Sequence, residues 1–159
     1  MHKAYLLIGG NEGNRLSHLQ QATAKITQFC GEIIGQSALY ETAPWGITDQ
    51  PRFFNQVLIC QTKLEAERMM GILLGIEEAM GRRRLVKFGP RIIDIDILFF
   101  DRLIIERPGL QIPHPEIANR RFVLVPLCEV APSFIHPQLQ KTIQEILDSC
   151  ADRLDVQKI

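Results

Sequence analysis

The sequence reads as an α+β chain: a ferredoxin-like βαββαβ core with a C-terminal extension, its helices packed on a mainly antiparallel sheet. Three observations predict this. Short apolar runs alternate with longer stretches in which apolar residues recur every three or four positions. Their order is β, α, β, β, α, β, the split βαβ arrangement. The 159 residues, 46% of them hydrophobic, suit one compact core, so residues 1–159 are expected to form a single domain.

Residues 3–9 make the first strand, which "GGNEGN" breaks. Leu16, Leu19, Ala22, Ile26 and Phe29 then mark one helix face, ending at Gly31. "EIIGQSALYET" reads as the second strand and "FFNQVLICQT" as the third. Between them, "APWGITDQP" is too long for a tight hairpin. Thr62 followed by Glu65 is a capping-box pattern, and Met69, Leu73, Ile76 and Met80 form an apolar stripe, predicting a helix over residues 64–80. A basic loop leads into the strand "IIDIDILFF", a turn at Asp101 and Arg102, and a short strand "LIIE". A proline-punctuated segment then leads to "NRRFVLVPLCEVAP", and a helix is expected over residues 139–152.

Composition narrows the function. The 18 Lys and Arg balance the 18 Asp and Glu, so no overall field draws in nucleic acid or an anionic membrane, and any anion site must be local. Cys30, Cys60, Cys128 and Cys150 form no C-x-x-C pair and read as packing thiols in a reducing compartment. No run approaches the roughly 18 apolar residues of a spanning helix, and the short apolar start has no cleavage site. A soluble, cytoplasmic protein is expected.

Asp94 and Asp96 interrupt an apolar strand. Residues two apart share a strand face, so the two carboxylates project together, about 7 Å apart. Two such charges repel unless a cation lies between them, and Mg²⁺ prefers carboxylate oxygens completed by water and phosphate. A lone D-x-D is also compatible with an exposed face paired to arginines. Arg82, Arg83, Arg84, Lys87 and Arg91 lie just upstream, however, and metal-bridged phosphates need cations and carboxylates side by side. The same cations could form a solvated loop or a nucleic-acid patch; mutual repulsion until a polyanion arrives would suit an active-site lid over residues 82–90. Phe53 and Asn55 share a face of the third strand, an aromatic surface beside an amide, which suits a planar heterocycle or an ordinary core edge. In "IPHPEIANRRF", His114 either contacts a nucleotide or caps a turn.

"KFGPRIIDIDIL" resembles the signature of the 6-hydroxymethyl-7,8-dihydropterin pyrophosphokinase family. "YETAPWG", "DQPRFFNQV", "IEEAMGRRR" and "IPHPEIANRRFVLVPL" follow the family's order. The resemblance implies diphosphate transfer from ATP to the pterin hydroxymethyl group, with AMP departing, a step of folate biosynthesis. It implies that Asp94 and Asp96 hold two Mg²⁺ ions, with Asp94 also at the substrate, and that Arg82 and Arg91 stabilise charge during transfer. Arg84 and Lys87 would sit in a mobile loop, and Glu77, Ile97, His114 and Arg120 would line the ATP site. Phe53 and Phe122 would sandwich the pterin, while Thr42, Asn55 and backbone groups near Pro44 and Trp45 read its edge. Departures from the family pattern are "GGN" for Gly-Ser-Asn, Phe53 for Tyr, and Pro115 after His114, which removes an aromatic group beside the nucleotide. The expected partners are the small molecules ATP and 6-hydroxymethyl-7,8-dihydropterin, with no nucleic acid, no membrane and a monomeric chain. An RNA-binding module of this fold would carry an RNP-like aromatic motif, which is absent. A regulatory ligand-binding domain would need no acidic pair beside five cations.

Overall fold

The computed structural model describes residues 1–83 and 87–159. Strand β1 (His2–Gly10) is followed by helix α1 (Arg15–Phe29), strands β2 (Gly31–Gln36), β3 (Tyr40–Thr42) and β4 (Phe53–Thr62), helix α2 (Ala66–Ala79) and strand β5 (Asp94–Phe100). The sheet order is β5-β1-β4-β3-β8, with β2 also paired to β4. If β2 and β3 count as one interrupted strand, residues 2–100 form the expected βαββαβ core, antiparallel at every pairing.

The second strand is divided because Ser37 leaves the ladder. Its hydroxyl accepts from the Val57 backbone N–H at 2.9 Å, while its own N–H donates to the Val57 carbonyl at 2.9 Å. A side chain thus replaces one backbone partner and lets the chain step sideways before β3.

The extension supplies what the core lacks. Strands β6 (Ile105–Arg107) and β7 (Leu110–Ile112) form a separate hairpin, so the expected "LIIE" strand starts two residues late. Helices α3 (Arg121–Val130) and α4 (Ile143–Asp148) follow, then strand β8 (Val156–Lys158). Neither α3 nor β8 is evident from periodicity; α3 contains Pro126. Two cores result, one on each face of the sheet. Leu6, Ile8, Leu58 and Ile95 pack with α1 and α2 residues such as Ile26 and Leu73. Tyr5, Leu7, Val57 and Leu98 pack against Leu124 and Leu127 of α3 and Ile143 and Ile146 of α4.

Three local expectations are corrected. Leu16 and Phe29 are 42% and 52% exposed, so the α1 core face is Leu19, Ala22 and Ile26. Thr62 and Glu65 form no capping box: the Thr62 hydroxyl donates to the Cys30 carbonyl at 2.6 Å and accepts from Leu64 N–H, and Glu65 reaches His2 instead. The last helix begins at Ile143, where Thr142 and Glu145 do form a capping box, because the preceding turn folds around His136, whose Nδ1 accepts from the N–H groups of Gln138 and Leu139. Cys30, Cys60 and Cys150 are buried and Cys128 is partly so, all free thiols. Burial pushes the Cys30 thiol up to about 12 and the Cys60 thiol up to about 11, which keeps them unreactive.

Candidate active site

The aspartates lie where two strands meet the end of a helical layer. Asp96 is opposite Leu7 and Asp94 opposite Gly9 in the β1–β5 register, which puts both on the sheet face that α3 and α4 cover. Ile95, between them, faces the other core. Three adjoining cavities meet at Asp96, two of them also bordered by Asp94.

The first is an aromatic slot. Phe53 and Asn55 of β4, Thr42 of β3, Trp45 and Phe122 line it, with Asp94, Asp96 and Arg120 at its inner end. Trp45 and Phe122 rings lie 6.5 Å apart between centroids. Asn55 is buried, and its amide donates to the Thr42 hydroxyl at 2.7 Å. Gly9 makes this possible, since a Cβ there would come within 2.1 Å of Asn55 Oδ1. Pro44 is buried but off the slot wall, where Ala43 and Trp45 stand.

The second cavity is cationic. Arg82, Arg83, Lys87, Arg91, His114 and Arg120 surround Asp94 and Asp96. Asp94 is held between two guanidiniums, accepting from Arg91 Nη1 at 2.8 Å and Arg82 Nη2 at 3.3 Å. Arg82 Nε and Nη1 and Arg120 Nε are buried with no hydrogen-bond acceptor. Buried donors are nearly always satisfied in native proteins, so these nitrogens point to an oxygen-rich anion. Burial and the Arg120 charge lower the His114 pKa, keeping the ring neutral. Its Nδ1 accepts from Glu116 N–H at 3.1 Å, so the ring proton is on Nε2.

The third is a groove between β5 and the β6–β7 hairpin, lined by Ile97, Leu110, Gln111, His114, Pro115 and Asp96 among others. Asp96 therefore stands on the walls of all three cavities. Its carboxyl is raised to about 7, first by burial and then by the charges of Asp94 and Glu77. Glu77 lines none of the three. It is buried behind Asp94, where its carboxylate accepts from Ile95 N–H at 2.6 Å. Burial, then Asp94, pushes its pKa up. Glu77 thus supports the strand that carries the aspartates. Arg84 and part of the expected lid lie outside the described residues.

Asn11, Gln50 and Phe88 were not singled out from sequence. Asn11 is 3% exposed; its amide nitrogen donates to Gln50 Oε1 at 2.9 Å and the Pro51 carbonyl at 2.8 Å, while its oxygen accepts from Arg91 N–H at 2.9 Å. Gln50 Nε2 donates to the Phe88 carbonyl at 2.7 Å. Phe88, at φ 60°, packs its ring over Gly46 and lines both the slot and the cationic cavity. One buried amide thus joins the end of β1, the loop before β4 and the loop before β5. The signal available was an Asn directly after a strand-ending Gly pair.

Among the described residues no group of three or more His, Cys, Asp or Glu is placed to hold a metal. Asp94 and Asp96 are two hard oxygen donors on one face, which fits a Mg²⁺ ion whose other positions go to water and phosphate oxygens.

The chain matches known proteins over most of its length. A family model described as 7,8-dihydro-6-hydroxymethylpterin-pyrophosphokinase (HPPK) matches residues 5–132. The chain is 37% identical over 145 residues to the 2-amino-4-hydroxy-6-hydroxymethyldihydropteridine pyrophosphokinase of Aquifex aeolicus, covering 91% of this chain and 90% of that one. It is 36% identical over 148 residues to the folic acid synthesis protein fol1 of Pneumocystis carinii, covering 93% of this chain but only 20% of that protein. The crystal structure of Plasmodium falciparum HPPK-DHPS with pteroate superposes with a TM-score of 0.76 at 19% identity, covering 92% of this chain and 42% of that one; at that identity the likeness shows the fold. With its signature segments in order and a family model matching well over half its length, this chain belongs to the 7,8-dihydro-6-hydroxymethylpterin-pyrophosphokinase family.

Proposed function

We propose that this chain transfers the diphosphate of ATP to the hydroxymethyl oxygen of 6-hydroxymethyl-7,8-dihydropterin, releasing AMP. The observation that carries this reading is the position of Asp94 and Asp96 on the wall shared by an aromatic slot and a cation-lined cavity. The reaction joins a flat heterocycle to a polyphosphate, and those two cavities meet at the carboxylates.

In this reading Phe53 and Phe122 stack on the two faces of the pterin, and Asn55 and Thr42 meet its hydrogen-bonding edge, with Ala43 and Trp45 closing the slot. Asp94 and Asp96 would hold two Mg²⁺ ions, which would supply positive charge against the phosphate oxygens. Arg82 and Arg91, which pair with Asp94, also reach the phosphate oxygens, which gives the buried donors of Arg82 their acceptors. Lys87, Arg120 and the His114 Nε2–H add donors around the chain of phosphates, and Ile97 and the β6–β7 hairpin form the nucleoside side.

The hydroxymethyl oxygen gives up its proton to solvent and bonds to the β-phosphorus, while the bond from that phosphorus to the α,β-bridging oxygen breaks and that oxygen leaves with AMP. Such transfers depend on in-line positioning and charge neutralisation more than on covalent help from the protein. The test is product analysis of ATP in Mg²⁺ with and without the pterin. AMP formed only when the pterin is present supports the reading; ADP would overturn it.

A further inference from the structure

We propose that the C-terminal segment from Asp152 to Lys158 is a positioning element of the aromatic slot, fixing the separation of its two walls and hence its fit to a flat bicyclic heterocycle. This rests on the reading of the slot as the pterin site. The walls come from distant parts of the chain: Phe53 and Asn55 on β4 with Thr42 beside them on β3, and Phe122 on the first turn of α3.

The segment is bonded to both. On the sheet side, β8 pairs with β3, Val156 opposite Thr42 and Lys158 opposite Tyr40. Just beyond, Ala43 N–H donates to the Asp155 carbonyl at 2.9 Å. β3 is three residues long; without β8 it becomes a sheet edge with unpaired backbone groups where the chain turns towards Trp45. On the helix side, the Asp152 carboxylate accepts from Arg121 N–H at 2.9 Å, while its other oxygen accepts from Leu154 N–H at 2.9 Å. Arg121 is the first residue of α3 and Phe122 the second. A carboxylate of the tail therefore satisfies an otherwise unpaired N–H of the helix that carries one wall. Three residues later the tail backbone holds the other wall.

Side-chain charge adds little. Arg52 reaches Asp155 at 2.7 Å and Glu41 at 3.6 Å, but the Arg52 and Asp155 side chains are 37% and 51% exposed, and exposed pairs are weak. The ladder and the Asp152 bond supply the constraint. The segment lies beyond residues 5–132, which the family model matches.

The test measures binding of 6-hydroxymethyl-7,8-dihydropterin, and separately of a non-hydrolysable ATP analogue with Mg²⁺. The proteins are the unaltered chain, Asp152→Ala, Asp152→Asn and a chain ending at Arg153. Asp152→Ala and the shortened chain should each bind the pterin about tenfold more weakly. Affinity for the nucleotide should change by less than about twofold, and Asp152→Asn, which keeps an acceptor oxygen, should restore most of the loss. Equal weakening for both ligands, or unchanged pterin binding in Asp152→Ala, would overturn the proposal; if the shortened chain does not fold, Asp152→Ala decides. Failure of the unaltered chain to bind the pterin would instead overturn the functional reading on which this one rests.

Discussion

Asp96 is a buried carboxyl close to two others, and that placement has a cost in stability. Burial and two neighbouring carboxylates raise its pKa from the usual 3.8 to about 7. The folded chain thus holds the proton more tightly than the unfolded chain does, and stability falls as pH rises through that interval. Metal-free protein should therefore lose stability between about pH 4 and about pH 7. Asp96→Asn should remove that contribution, melting higher than the unaltered protein at pH 8 with the difference closing towards pH 4. Thermal melts of both proteins across that range in EDTA check this, and an Asp96→Asn protein no more stable at pH 8 would refute it. Activity should run the other way. Folded Asp96→Ala should turn over slower by several orders of magnitude, and near-normal turnover would remove Asp96 from the reaction.

The elements around the site are short or irregular, and buried polar groups tie them together. Asn11 is the clearest case, since its amide bonds to the loop before β4 and to Arg91 in the loop before β5. Asn11→Ala leaves the Arg91 N–H and the Pro51 carbonyl without that partner, which costs about 1–3 kcal/mol for each group left buried. The expected outcome is a lower melting temperature together with a fall in kcat/KM for both substrates, because the loops it joins border both the slot and the cationic cavity. Loss in one substrate only would show that the loops act independently. Glu77 has a similar supporting part, holding Ile95 N–H between the two aspartates.

Across the molecule, two cores share one sheet. α1 and α2 cover one face, and α3 and α4 the other, so alternate residues of the central strands are buried by helices from different halves of the chain. A domain of this size, joined through one sheet, should unfold in one transition. Circular dichroism and Trp45 fluorescence should give coincident denaturation curves. Ile146→Ala, in α4 and remote from the slot, should cost about 2–5 kcal/mol and move both curves together. Separate transitions would mean that the extension folds as a unit of its own.

The sequence by itself determined the βαββαβ order, the face shared by Asp94 and Asp96, the β4 strand at residues 53–62 and the neighbourhood of carboxylates and arginines. These depend on period and adjacency, which a chain carries locally. Tertiary structure decided the rest. The Thr62 pattern failed as a cap because the Cys30 carbonyl, 32 positions away, took its hydroxyl, while at Thr142 the hydroxyl accepts from Glu145 N–H and the same type of pattern forms. β8 has three residues and no periodic signal; it is a strand because β3 offers an open edge. Glu77, which the resemblance implies lines the ATP site, is buried, with its carboxylate accepting from Ile95 N–H. Asn11 gained its importance from three loops that meet only when the sheet has formed. Distant groups compete for each hydrogen bond, and only the folded chain settles which of them is close enough to win.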